Sequence, residues 1–178
     1  MLVIHANDPT TRVLSQLYES REDFCLRLDE HSSNTAVIKA VKDADSIMML
    51  GHGNQFGLFS IPSKNGQYCR HLINSSHVQF LREKSCIGIW CYANEFARRY
   101  GLQGLFSGMI ISELHEAEEN SIPATKEEID TEMEKFVARL KFCIERYELQ
   151  EVPARMLELD DVHSSLTEFN YKNLYWYE

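Results

Sequence analysis

No stretch of this chain reaches the roughly 20 consecutive apolar residues that cross a bilayer. The segment Met1–Thr11 is apolar for only its first four residues and has no basic flank, so neither a membrane helix nor a secretory leader is expected. Proline is scarce (4) and glycine modest (8), which together with 44% hydrophobic and 25% charged residues excludes collagen-like and disordered compositions. Positive charge is also short: 18 Lys and Arg stand against 27 Asp and Glu, for a net charge of −9. Without a Lys/Arg stripe, a phosphate backbone would be repelled, so nucleic acid is not an expected partner. The acidic balance is mildly consistent with a basic peptide substrate, and mere solubility accounts for it better. The five cysteines include no C-x-x-C pair, and their odd number argues against a disulfide framework. These exclusions leave one cytosolic globular domain over residues 1–178, most of its cysteines being small buried hydrophobes.

What remains is an alternation of strand and helix patterns. Met1–Ala6 reads as a central strand ending at the turn cluster Asn7-Asp8-Pro9, with a helix over Thr11–Ser20. Asp23–Leu28 reads as a strand, and a helix capped by Asn34 or Thr35 runs to Lys42. The apolar run Ser46–Leu50 stops at Gly51-His52-Gly53, and Gln55–Ile61 suits a small hairpin arm. A short helix over His77–Lys84 precedes a second apolar run, Cys86–Trp90, which ends at Cys91. Asn94 is placed to cap a helix to Tyr100, and Phe106–Ile111 reads as a further strand ending at Ser112-Glu113. Thr125-Lys126-Glu127-Glu128 is a capping box that opens an amphipathic helix to about Tyr147. Its single apolar stripe is needed to cover the sheet. Residues 151–178 are less regular, and Leu174-Tyr175-Trp176-Tyr177 is aromatic enough to dock on the sheet. The expected fold is α/β, a three-layer sandwich around a mainly parallel, doubly wound sheet.

In such sheets chemistry gathers beyond the carboxyl ends of the strands. His52 and Cys91 each follow a buried strand, one crossover apart, so they emerge at one edge. A cysteine nucleophile needs an imidazole to take its proton. The flanking glycines let the backbone approach a substrate and leave the Gly53 N–H as an oxyanion donor, with the Cys91 N–H as a second. The start of the following helix would lower the thiol pKa. On spacing alone, a buried cysteine beside a turn histidine is an equally good reading.

The segments Ser46-Ile47-Met48-Met49-Leu50-Gly51-His52-Gly53, Gly57-Leu58-Phe59 and Cys86-Ile87-Gly88-Ile89-Trp90-Cys91 resemble the signature of the caspase-like (clan CD) cysteine peptidases over residues 46–112. That resemblance implies a caspase-hemoglobinase-like fold, Cys91 as nucleophile, His52 as general acid/base, and the Gly53 and Cys91 amides as oxyanion hole. It implies hydrolysis of a protein or peptide after a specific P1 residue, with no metal or cofactor. It also puts the end of the strand after the nucleophile beside the S1 pocket, where Glu113 would pair with a basic P1 residue. Family members carry a small or acidic residue before the nucleophile, where this chain has Trp90. Many carry a glycine soon after it, where this chain has Tyr92-Ala93-Asn94. Both differences fall on the substrate pocket, which makes Trp90 and Asn94 substrate-binding candidates.

Other residues read more simply. Glu116, with Glu118 and Glu119, suits a solvated acidic loop better than a pocket. His5 and Asp8 suit a turn, and His71, His77, His115 and His163 lack metal-ligand spacing. The alternatives to a peptidase are a catalytically silent caspase-like or flavodoxin-like domain binding a protein partner, and another cysteine-dependent hydrolase or transferase.

Overall fold

The computed structural model describes residues 1–19, 26–61 and 70–178. Among the described residues, nine strands and seven α-helices follow in chain order: β1 Leu2–His5, β2 Leu26–Leu28, α1 Asn34–Asp43, β3 Ser46–Leu50, β4 Gly53–Asn54, β5 Gly57–Phe59, β6 His71–Ile73, α2 Val78–Leu81, β7 Ser85–Ile89, α3 Ala93–Tyr100, β8 Gly104–Ser107, α4 Leu114–Glu119, α5 Lys126–Arg146, α6 Val152–Glu158, α7 Ser165–Lys172 and β9 Leu174–Tyr177. A 3-10 helix, Pro9–Leu17, follows β1 and a shorter one, Ser75–His77, leads into α2.

Six strands form one sheet in the order β2-β1-β3-β7-β8-β9, of which the first five run parallel and β9 antiparallel. The central strands are apolar runs because both of their faces are buried. Val3, Met48, Leu50, Ile87, Ile89 and Leu105 face one core, closed by the first 3-10 helix and by α5, α6 and α7. Leu2, Ile4, Ile47, Met49, Cys86 and Phe106 face the other, closed by α1, α2 and α3. The result is an α/β molecule with helices on both faces of a mostly parallel sheet. A second, three-stranded sheet, β4-β5-β6, stands beside it as an antiparallel arm. Among the described residues no helix is long and apolar enough to cross a membrane.

Strand register sets up the site. His5 lies opposite Leu50, and Leu50 opposite Ile89, so β1, β3 and β7 end level. The chain passes from β1 outward to β2, then returns to β3 on the other side of β1. This is a switch in strand order, where parallel sheets open a crevice beyond their carboxyl ends.

Several elements differ from the sequence pattern. The helix expected over Thr11–Ser20 is a 3-10 helix that starts earlier, because Asp8 caps it through Thr10 N–H and Pro9 occupies its first turn. Of the strand expected over Asp23–Leu28, only Leu26–Leu28 falls within the described residues. Ser33, rather than Asn34 or Thr35, caps α1. The strand expected over Phe106–Ile111 ends at Ser107, where its pairing with β9 stops opposite Leu174. Ser112 and Glu113 therefore sit in a separate connecting segment. Asn170 on α7 pins that segment, accepting from Ile111 N–H (2.8 Å) and donating to Ile111 O (3.0 Å). The aromatic C-terminus docks as edge strand β9, preceded by two helices that the irregular pattern hid.

Candidate active site

His52 and Cys91 emerge at the level ends of β3 and β7 and line the same cleft, of about 480 Å³. They also border a second, mostly apolar cavity of about 40 Å³. Sequence spacing thus brought these two residues to one edge, as expected. The turn that carries His52 needs glycine, since Gly51 has φ +140°.

Cys91 stands at a corner. The hydroxyl of the fully buried Ser107 accepts from Trp90 N–H (3.0 Å) and donates to Trp90 O (2.8 Å), holding the exit of β7. Tyr92 then adopts the left-handed conformation, φ 67°, which breaks the chain direction and starts α3 at Ala93. A non-glycine residue with positive φ is strained backbone of the kind that gathers at functional sites. Tyr92, not Asn94, is the helix cap. Asn94 lies in the first turn of α3 and lines neither cavity.

Trp90 is 2% exposed. Its indole N–H donates to Asn54 O (3.1 Å), and its ring lies so close to Gly53 that a Cβ there would sit 2.1 Å from Cδ1. Trp90 thus supports the β4–β5 arm from below. The sequence assigned the glycine at 53 to a close approach of substrate; in the structure it is the tryptophan that requires it.

The arm also aims the Gly53 amide. Phe59 N–H donates to His52 O (2.8 Å), which makes 52 and 59 a hydrogen-bonded pair and Gly53 and Leu58 the next, non-bonded one. The Gly53 N–H therefore points away from β5, toward the open edge of β4.

His52 is held from the β1 side. Its Nε2 lies 2.7 Å from Thr10 Oγ1, and that hydroxyl donates to Asp8 Oδ1 (2.8 Å). With the hydroxyl proton committed to Asp8, Thr10 accepts, so Nε2 carries the imidazole proton and Nδ1 keeps its lone pair. Asp8 is buried and doubly used, since its Oδ1 also caps Thr10 N–H (3.0 Å). The turn cluster was visible in the sequence, but its connection to His52 was not.

The largest departure concerns Glu116, expected in a solvated loop. It is 7% exposed. Its Oε2 accepts from Ser112 N–H (2.7 Å), Ser112 Oγ (3.1 Å) and Glu113 N–H (2.9 Å), and its Oε1 lies 3.9 Å from Cys91 Sγ. The Glu113-x-x-Glu116 spacing is that of a capping box, the one signal in the sequence that could have found it. Glu113 caps α4, pairs with His115 (3.2 Å), and lines the cleft with Glu116 and Glu119.

The thiol pKa runs opposite to the expectation from the helix terminus. Burial first, and the Glu116 carboxylate second, push Cys91 up to about 12. The short α3 cannot offset a nearby negative charge. Cys86 and Cys143 are buried, as expected, and Cys25 and Cys69 lie outside the described residues. In comparisons with known proteins, no family model and no curated protein matches this chain.

Proposed function

We propose that this chain is a caspase-like cysteine peptidase with Cys91 as nucleophile and His52 as general acid/base. The observation that carries the reading is that His52 and Cys91 both line one cleft, at the level ends of adjacent parallel strands. His52 Nδ1 takes the Sγ proton, and the thiolate attacks the scissile carbonyl carbon. The oxyanion is held by the Gly53 and Cys91 amides. His52 then protonates the leaving amine, and water hydrolyses the thioester to free Cys91. Thr10 and Asp8 keep the imidazole in the tautomer this requires. No metal or cofactor enters the scheme.

The acid-lined cleft supports a basic P1 residue: Glu113, Glu116 and Glu119 all border it, suiting a guanidinium or ammonium group. Trp90 acts on substrate through the arm it supports. The direct test is hydrolysis of fluorogenic peptide amides carrying Arg, Lys, Asp or Asn at P1. Cleavage of the Arg or Lys substrate, lost in Cys91→Ala and His52→Ala, is the expected result; no cleavage of any of the four contradicts it.

A second reading, a silent domain that binds a protein partner at the same edge, is favoured by the contact between Glu116 and the Cys91 thiol. A carboxylate there opposes thiolate formation in the empty cleft. The same substrates separate the two.

A further inference from the structure

We propose that Glu116 is a lock on Cys91: it holds the thiol protonated while the cleft is empty, and a cationic side chain entering the cleft draws the carboxylate's charge away and frees the thiol to ionise. This rests on the reading of Cys91 as the nucleophile.

Glu116 is nine-tenths buried, yet it faces the sulfur with one oxygen and spends the other on three donors from Ser112 and Glu113. Those donors fix the carboxylate in place, so its charge cannot swing away from the thiol. Its Oε1 is the oxygen left for a ligand, and Glu116 lines the cleft that Cys91 and His52 line. A guanidinium approaching through that cleft meets Glu116 Oε1 and the sulfur together.

The other titratable groups around the cleft do not supply the missing positive charge. Glu113 and Glu119 are acidic and Tyr92 is a phenol, while His115 is already paired with Glu113. His52 accepts the thiol proton, so its own positive charge appears only once the thiolate has formed. Release is a proton transfer and nothing more: the S–H bond breaks, an N–H bond forms on His52 Nδ1, and the electron pair stays on sulfur. An adjacent like charge opposes that step, and a cation on Glu116 removes the opposition. The same group that selects a basic side chain then makes thiol reactivity depend on its presence.

Alkylation of Cys91 by iodoacetamide tests this without any peptide hydrolysis, so it can fail or succeed independently of the peptidase reading. Its rate follows the thiolate fraction and is read by mass spectrometry of the Cys91 peptide from the intact, folded chain. Wild-type protein is expected to react slowly at pH 7 and about tenfold faster with saturating arginine amide, the equivalent of roughly one pKa unit. Glu116→Gln is expected to react about tenfold faster without the cation and to ignore its addition. Folding of the variant is checked by circular dichroism. A folded Glu116→Gln alkylated no faster than wild type overturns the lock. So does arginine amide that slows wild-type alkylation or leaves it unchanged, a result that needs no variant.

Discussion

The Trp90 indole lies directly under Gly53, close enough that a single added Cβ would stand 2.1 Å from Cδ1 and 2.6 Å from Gly57 O. The residue before the candidate nucleophile thereby sets the height of the arm that carries the Gly53 amide. Gly53→Ala is expected to lift the arm and destabilise the protein by about 1–3 kcal/mol, the usual cost of overpacking. Peptidase activity should fall further than stability does. A Gly53→Ala variant that melts with wild type would show that the close contact does not require glycine there.

Thr10→Val removes the acceptor that holds His52 Nε2 (2.7 Å). One hydrogen bond worth about 1–1.5 kcal/mol corresponds to roughly a tenfold fall in kcat, with KM little changed. Thr10→Ser keeps the hydroxyl and should recover most of the rate. Equal activity of the Val and Ser variants would remove Thr10 from the scheme.

Asn170→Leu strips both partners from the backbone of Ile111. Each buried group left unsatisfied costs about 1–3 kcal/mol, so a clear fall in melting temperature is expected. Because the Ile110 carbonyl lies 3.8 Å from Cys91 Sγ, the alkylation rate of Cys91 should also change. A variant that melts lower but alkylates as wild type would confine Asn170 to a structural role.

His5 gives the stability a pH dependence. Burial first, and Arg27 second, lower its pKa to about 4, while its ring nitrogens contact Tyr18 and Thr11. The unfolded chain, with a histidine near 6.5, binds more protons than the folded one between these values. The stability from neutral His5 is therefore complete above pH 6.5 and lost as pH falls toward 4, a change on the order of 3 kcal/mol. Urea unfolding from pH 7 to pH 4 should show this decline, and His5→Gln should flatten it.

The elements with an unbroken core-facing pattern, β3 and α5, were legible in the sequence. Ser46–Leu50 is β3 to the residue, and the Thr125 capping box opens α5 as read. Burial on both faces and a satisfied cap leave a local pattern. The positions of His52 and Cys91 followed from those strands. What lay hidden depended on contacts between distant segments. Thr10 reaches His52 across 42 residues, and Glu116 reaches Cys91 across 25. A run of acids looks solvated until one of them is found folded back onto its own helix cap. The early end of β8 escaped for the same reason, since the apolar run through Ile110 and Ile111 is buried without being a strand.

In the proposed mechanism Cys91 and His52 act as a nucleophile and its acid/base partner on basic peptides. Peptidyl chloromethyl ketones with Arg, Lys, Asp or Asn at P1 test it in one measurement, with the adduct located by mass spectrometry. A single adduct on Cys91 is expected from the Arg or Lys reagent, absent in Cys91→Ala and strongly slowed in His52→Ala. Absence of any adduct on Cys91 with all four reagents would contradict it.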